Sequence, residues 1–216
     1  MNNLYPSLNP EKALIWRIVH RDNLDWILDN NLQCANSFDL KADYEVIGNR
    51  DLISRRLHRE VPVEPKGVLG DYVPFYFTPF SPMMYNIYTG RGDVTQRANE
   101  EIVILVSSLR KVATLELPFV FTDRHAYTPL AQFYNKLEHL DQIDWPLLQQ
   151  RNFKRNFDDP VQIERYQAEA LIYKSLPVEG LIGIVCYTDE LKLQIEQKVE
   201  QRSLNLDVHK LPKWYF

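Results

Sequence analysis

The chain has 216 residues, a formal net charge of -4, and ordinary hydrophobic (45%) and charged (25%) content, enough for one large domain with a proper core. The net acidity excludes a generally basic surface, so any nucleic-acid partner would be met by a local basic patch. Two distant cysteines, Cys34 and Cys186, exclude a CxxC metal site and a disulfide framework and fit a reducing cytoplasm. No basic segment followed by an apolar one opens the chain, and no run approaches the roughly 18 apolar residues of a membrane span; the expectation is a soluble, non-exported protein with no membrane partner.

Asn9-Pro10-Glu11 has the form of a cap, a first-turn proline and an acid that suits the helix dipole, which predicts a short helix. Leu14 to His20 follows as a strand with Trp16, Ile18 and His20 on one face. His20 would end that strand before a turn at Arg21-Asp22-Asn23 and a short amphipathic helix carrying Leu24, Ile27 and Leu28. A lone histidine there is either structural or functional. Gln33 to Asn49 is irregular and polar, a long loop.

Helical spacing returns at Leu52, Ile53 and Leu57, in a segment that concentrates Arg50, Arg55, Arg56, Arg59 and His58. Such a charge run is either a solvated face or a set of forks suited to phosphate. Pro62 to Gly70 is loop. Asp71 to Tyr85 is dense in aromatic residues and interrupted by prolines, which suits either core packing or a rigid cleft wall; Ser81-Pro82 reads as the cap and first turn of a helix carrying Met83 and Met84.

Glu101 to Val106 is apolar on both faces, a central strand, and Phe119 to Thr122 is a second, shorter one. A long insertion, about residues 123–165, opens at Asp123 and should contain a helix marked by Leu130, Phe133, Tyr134 and Leu137. It ends in Gln149 to Phe157, where Arg151, Lys154 and Arg155 alternate with Phe and Asn, a mixture suited to single-stranded nucleic acid. Glu169 heads the apolar run Ala170-Leu171-Ile172-Tyr173, either as a surface acid at an element's edge or as a carboxylate fixed in a cleft. Leu181 to Tyr187 is a buried strand, Thr188 caps a helix with Leu191, Leu193, Ile195 and Val199, and Leu204 to His209 alternates as a closing strand. Strands and helices mix without βα alternation, so the fold class is α+β, one domain over 1–216 built on a central sheet.

The sequence contains no Walker A loop, GxGxxG fingerprint, GxSxG elbow or HExxH. The five histidines show no metal-ligand spacing. A histidine, an arginine-rich segment, an aromatic wall and a glutamate remain, a set suited to a phosphorylated ligand with sugars and an aromatic ring.

Those residues carry a resemblance. Arg17 to Leu24, Ile47 to Arg56, Asp71 to Phe77, Ser81-Pro82-Met83, Phe121-Thr122-Asp123 with His125-Ala126-Tyr127, and Tyr166 to Glu169 occur together and in order. In these segments the chain resembles the DarT family, DNA ADP-ribosyltransferase toxins of bacterial toxin–antitoxin systems, over nearly its whole length. The resemblance implies an ADP-ribosyltransferase fold with a central mixed, split β-sheet, NAD+ as co-substrate without a metal, and modification of a base, typically thymidine, in single-stranded DNA. It also implies a DarG-like macrodomain antitoxin as partner, and makes the insertion the substrate-recognition loop. Close alternatives are transfer to guanosine, RNA or protein, or an inactive NAD+- or nucleic-acid-binding module.

On the resemblance, Glu169 is the catalytic carboxylate that steadies positive charge on the ribose. Arg56 engages the pyrophosphate and favours the deprotonated acceptor base. His20 and Asn23 would contact the cofactor, and Tyr76 and Met83 the nicotinamide end. His125 and Tyr127 would lie near the base, with Arg151, Lys154 and Arg155 on DNA phosphates.

Overall fold

The computed structural model describes residues 5–39, 41 and 43–216. Met1 to Leu4, part of the stretch examined for a leader, and Leu40 and Ala42 of the long loop lie outside the described residues. In chain order the elements are β1 (Leu14–His20), α1 (Leu24–Asn30), β2 (Leu32–Gln33), α2 (Arg50–Arg56), β3 (Tyr72–Tyr76), α3 (Pro82–Thr89), β4 (Ile102–Ser108), α4 (Leu109–Thr114) and β5 (Phe119–Thr122). They continue with β6 (Phe133–Tyr134), α5 (Trp145–Gln149), α6 (Gln162–Arg165), β7 (Glu169–Tyr173), β8 (Ser175–Leu176), β9 (Gly183–Cys186), α7 (Asp189–Gln201) and β10 (Asp207–Lys210). Among the described residues no helix is long and apolar enough to cross a membrane.

Eight strands form one sheet in the order β10-β9-β4-β1-β3-β7-β5-β6; β2 and β8 make a separate ribbon. The pairs of the large sheet are antiparallel except β9 with β10. The class is therefore α+β with a mixed sheet, as the sequence indicates. β4 is buried at every residue and lies between β9 and β1, which explains its unbroken apolar run.

The functional geometry begins at a break in this sheet. β1 aligns with β4 over its whole length, and β3 with β7 over five residues, but β1 and β3 share only the register pair Trp16↔Tyr76. Pro74 in β3 has no N–H to give to a ladder, so this strand tolerates a neighbour that peels away. The sheet is thus split into two halves hinged at one pair.

Alternation assigns the faces of the second half. Val73, Phe75, Ala170, Ile172 and Phe121 enter the main core. Tyr72, Leu171 and Val120 turn the other way, against Val61, Leu69 and Ala126 in a smaller cluster. Tyr76 and Glu169 end this second face and open onto the split rather than onto core.

Three expected elements differ. Asn9-Pro10-Glu11 makes a single turn, not a helix: the Asn9 side chain accepts from Lys12 N at 2.9 Å, and the strand starts at Leu14, leaving no length to propagate. The helix expected over Leu130 to Leu137 is absent. Phe133 and Tyr134 instead add β6 to the exposed edge of β5, with Tyr134 stacked on Phe121 at 5.4 Å, and a 3-10 turn follows over Leu137–Gln142. The closing strand starts at Asp207 rather than Leu204, where its parallel partner Gly183 begins.

Candidate active site

The split opens into a cleft enclosing about 1190 Å3, counting the space at its mouth. Its floor is Arg17 and Val19 of β1 with Pro74 and Tyr76 of β3; its roof is the loop from Tyr44 to Asn49 and one side of α2. Asn49 starts α2 by accepting from Leu52 N at 2.8 Å, and Leu52, Ile53 and Arg56 then turn inward while Arg50 and Arg55 stay exposed.

Glu169 is 2% exposed at the first position of β7. The Arg56 guanidinium grips it with a two-pronged ion pair, Nη1 to Oε1 at 2.8 Å and Nη2 to Oε2 at 2.5 Å. The Ala126 N–H donates to Oε1 at 2.9 Å, and the Glu169 N–H donates to Thr122 Oγ1 at 3.3 Å. The carboxylate is therefore fixed in direction by a helix and a loop at once, while its backbone is tied to the neighbouring strand. Burial pushes its pKa up, but the charge and hydrogen bonds of Arg56, with His125 and the Ala126 N–H, outweigh burial and leave it below the usual range. Burial likewise pulls on Arg56, and Glu169 overcomes it, so the guanidinium is held charged.

His125 Nε2 stands 3.9 Å from Glu169 Oε1. Its Nδ1 accepts from the Tyr127 N–H at 3.3 Å, and burial lowers its pKa, so the ring is neutral at pH 7 with its remaining proton on the Glu169 side. The Tyr76 hydroxyl lies against Met83 Sδ at 3.8 Å, and burial followed by the Glu169 charge raises its pKa, which keeps the phenol protonated.

The structure brings together Glu169, Arg56, Tyr76, Met83 and His125 on one cleft. His20 and Asn23, expected to touch the cofactor, do not line it. Both Asn23 amide atoms bind the backbone of Glu45, at 2.8 and 2.9 Å, and His20 Nε2 lies 3.5 Å from Glu101 Oε1. Arg97 completes the chain of contacts, donating to Glu101 at 3.2 Å and pairing with Glu45. These residues hold the roof in place from behind. Trp26, against Tyr44 at 6.0 Å, adds an apolar contact to the same loop.

Arg151 also has a different task from the expected phosphate contact. Its guanidinium lies 3.7 Å from the Phe80 ring centroid and 5.2 Å from that of Phe216, and it donates to the Tyr215 carbonyl at 3.3 Å. Such a stacked, part-buried cation is committed to packing. Lys154 and Arg155 are exposed. Tyr127 shapes the turn through its N–H and does not line the cleft.

Arg17 was missed by motif reasoning. It donates from Nη1 to the Pro74 carbonyl at 2.8 Å, bridging the split, while its Nε is buried with no hydrogen-bond partner among the described residues. Arg17 also lines the cleft, which places a permanent positive charge where an anionic ligand would lie. The signal was present in the sequence: Arg17 is the one basic residue inside the apolar strand Leu14–His20 before its terminal histidine.

Comparison with known proteins shows what the chain and its fold are similar to. A family model described as "DarT: ssDNA thymidine ADP-ribosyltransferase, DarT" matches residues 16–216. A DNA ADP-ribosyl transferase of Escherichia coli O127:H6 (strain E2348/69 / EPEC) is 58% identical over 210 residues, covering 97% of this chain and 96% of that protein. Thermus sp. 2.9 DarT in complex with ADP-ribosylated ssDNA superimposes with a TM-score of 0.88 at 36% identity, covering 96% of this chain and 98% of the other. The same Thermus protein in complex with NAD+ gives a TM-score of 0.82 at 36% identity, covering 96% of this chain and 99% of the other.

Proposed function

Because the chain belongs to the DarT family of single-stranded-DNA thymidine ADP-ribosyltransferases, we propose that it transfers ADP-ribose from NAD+ to a thymine base of single-stranded DNA, with the pair Glu169–Arg56 at the reacting centre. The observation that carries this reading is the Glu169 carboxylate, buried at the mouth of the split sheet and held ionised by Arg56.

In the reaction the bond between nicotinamide and the ribose C1′ breaks, its electron pair leaving with nicotinamide. A thymine ring nitrogen loses its proton to water and forms the new bond to C1′. Positive charge builds on the ribose as the first bond lengthens, and the ionised Glu169 opposes it from a fixed, desolvated position where Coulomb interactions are strong. Arg56, charged and buried, favours the anionic form of the acceptor base. The cleft suits a dinucleotide: Arg17 on its floor would meet an anionic oxygen of the pyrophosphate, the contact expected of Arg56, whose two Nη atoms are instead taken up by Glu169, and Tyr76 with Met83 would take the flat nicotinamide end. His125 and Tyr127, on the loop that supplies the Ala126 N–H, would stand beside the incoming base. Single-stranded DNA is the sensible form, since in a duplex the reacting edge is occupied by pairing.

The wider role follows the family: the toxin of a bacterial toxin–antitoxin pair, acting in the cytoplasm, with a DarG-like macrodomain partner that removes the mark. Offering labelled NAD+ with oligonucleotides each lacking one base, with RNA and with protein separates the readings. Label confined to strands that contain thymine supports the proposal. Label on thymine-free DNA, RNA or protein moves the acceptor, and NAD+ binding without transfer reduces the chain to a binding module.

A further inference from the structure

The insertion ahead of β7 is anchored twice. Upstream, Arg151 lies over Phe80 and Phe216, and Phe153 contacts Tyr85, Tyr166 and Phe216 at ring-centroid distances of 6.0, 5.3 and 5.9 Å. Downstream, Arg165 holds Asp159 at 2.7 Å and Asp144 at 3.1 Å, and its hydrogen bond lowers the Asp159 pKa, with its charge adding to the effect. Gln162 ties the two limbs together, donating to the Asn152 carbonyl at 3.2 Å and accepting from Asn156 at 3.0 Å.

Between these anchors the chain presents Lys154, Arg155 and Phe157 outward. Phe157 is 85% exposed, although a phenyl ring in water is costly. The Arg155 guanidinium lies 5.3 Å from its ring centroid, so one cation is already organised beside the ring. Among the described residues neither Lys154 nor Arg155 takes part in an ion pair with an acid. The nearby acids are Asp158, exposed, and Asp159, already neutralised by Arg165.

We propose that Phe157 is a base-stacking subsite for a nucleotide flanking the modified one, with Arg155 and Lys154 on the adjoining phosphates. This rests on the reading that the chain acts on single-stranded DNA. A lone exposed ring bracketed by free cations is too small and too charged to seat an apolar protein face, but it offers what a single-stranded nucleotide needs: a flat face for the base and positive charge for its backbone. The two anchors tie down both ends of the segment that carries the platform, which reduces the ordering that binding must oppose. The limb runs directly into α6 and β7, which places the subsite on the segment that leads to Glu169.

The test is a cycle across the interface. The intact chain, Phe157→Ala and Phe157→Trp are each given single-thymine oligonucleotides in which one flanking position at a time is abasic, with binding read by fluorescence anisotropy and transfer read as kcat/KM. The intact chain should lose on the order of tenfold in both at one flanking position. Phe157→Ala should show that loss with the complete oligonucleotide and no further loss at that abasic position, and Phe157→Trp should restore the wild-type pattern. Thermal midpoints should be equal, as expected for an exposed side chain. If Phe157→Ala keeps the full abasic penalty at every position, or binds the complete strand as tightly as the intact chain, the subsite is overturned. DNA binding with the same cycle but without transfer would remove the enzymatic reading and leave the subsite standing; no binding by the intact chain would remove both.

Discussion

Arg56 and Glu169 lie 113 residues apart in sequence and meet as a two-pronged ion pair in which both carboxylate oxygens are held, at 2.8 and 2.5 Å. The pair joins α2, the roof of the cleft, to β7 in its wall. It therefore carries structural and chemical weight together.

Removing one partner leaves the other buried and uncompensated, which costs about 3–5 kcal/mol. Glu169→Ala should accordingly unfold at lower denaturant, and Glu169→Gln, which retains the shape and one acceptor, should lose less. The pH dependence follows from the depressed folded-state pKa of Glu169. A carboxyl of this kind contributes stability that is fully present above its unfolded value near ~4.3 and is lost as pH falls through the lower folded value. The stability gap between the intact chain and Glu169→Gln, from urea unfolding, should stay constant down to about pH 5 and narrow below about pH 4. A gap unchanged at about pH 3 would show that the ion pair is not its source.

Arg17 crosses the split in the sheet to the Pro74 carbonyl and lines the floor of the cleft. Arg17→Ala should raise the KM for NAD+ roughly tenfold or more, the scale of a lost charged hydrogen bond, with Arg17→Lys intermediate. Unchanged NAD+ kinetics in Arg17→Ala would confine the residue to holding the two half-sheets together.

Arg97 does not itself line the cleft but grips Glu45 of the roof and Glu101 behind it. Its loss should loosen the Tyr44 to Asn49 loop, raising the KM for NAD+ about two- to fivefold, as for a part-exposed ion pair, while kcat holds. Arg97→Lys should recover part of the effect. A fall in kcat with KM constant would contradict a positioning role.

Much of this fold was legible because burial on both sides of a strand writes itself as a continuous apolar run: β4, β5 and β9 follow from it directly. The inward turn of Arg56 was also legible, since Leu52, Ile53 and Arg56 share one helical face and Arg50 and Arg55 do not. Choosing that arginine nonetheless needed the family resemblance, because four arginines crowd the segment. Other features depend on partners far away in the chain. Arg151 read as a phosphate contact from its neighbours in sequence, yet Phe80 and Phe216 decide its place. Phe133 and Tyr134 matched a helical spacing, but the open edge of β5 drew them into the sheet. The Ala126 N–H that orients Glu169 has no side-chain signature at all.

The same contrast separates two kinds of cation in the insertion. Replacing Lys154 and Arg155 by Ala should lower the slope of log affinity for single-stranded DNA against log salt by roughly 0.7 per cation. Arg151→Ala should leave that slope near its wild-type value while lowering the thermal midpoint, because its contacts are with aromatic rings and a carbonyl inside the protein. A slope change in Arg151→Ala equal to that of the exposed pair would restore its phosphate role.

The most direct test of the account is transfer itself. Labelled NAD+ is incubated with a single-stranded oligonucleotide carrying one thymine, using the intact chain and a Glu169→Gln variant whose folding is verified by circular dichroism. The account predicts label on the thymine with the intact chain and a loss of at least about a hundredfold in rate with the variant, as for removal of a principal electrostatic stabiliser. Undiminished transfer by folded Glu169→Gln would contradict it.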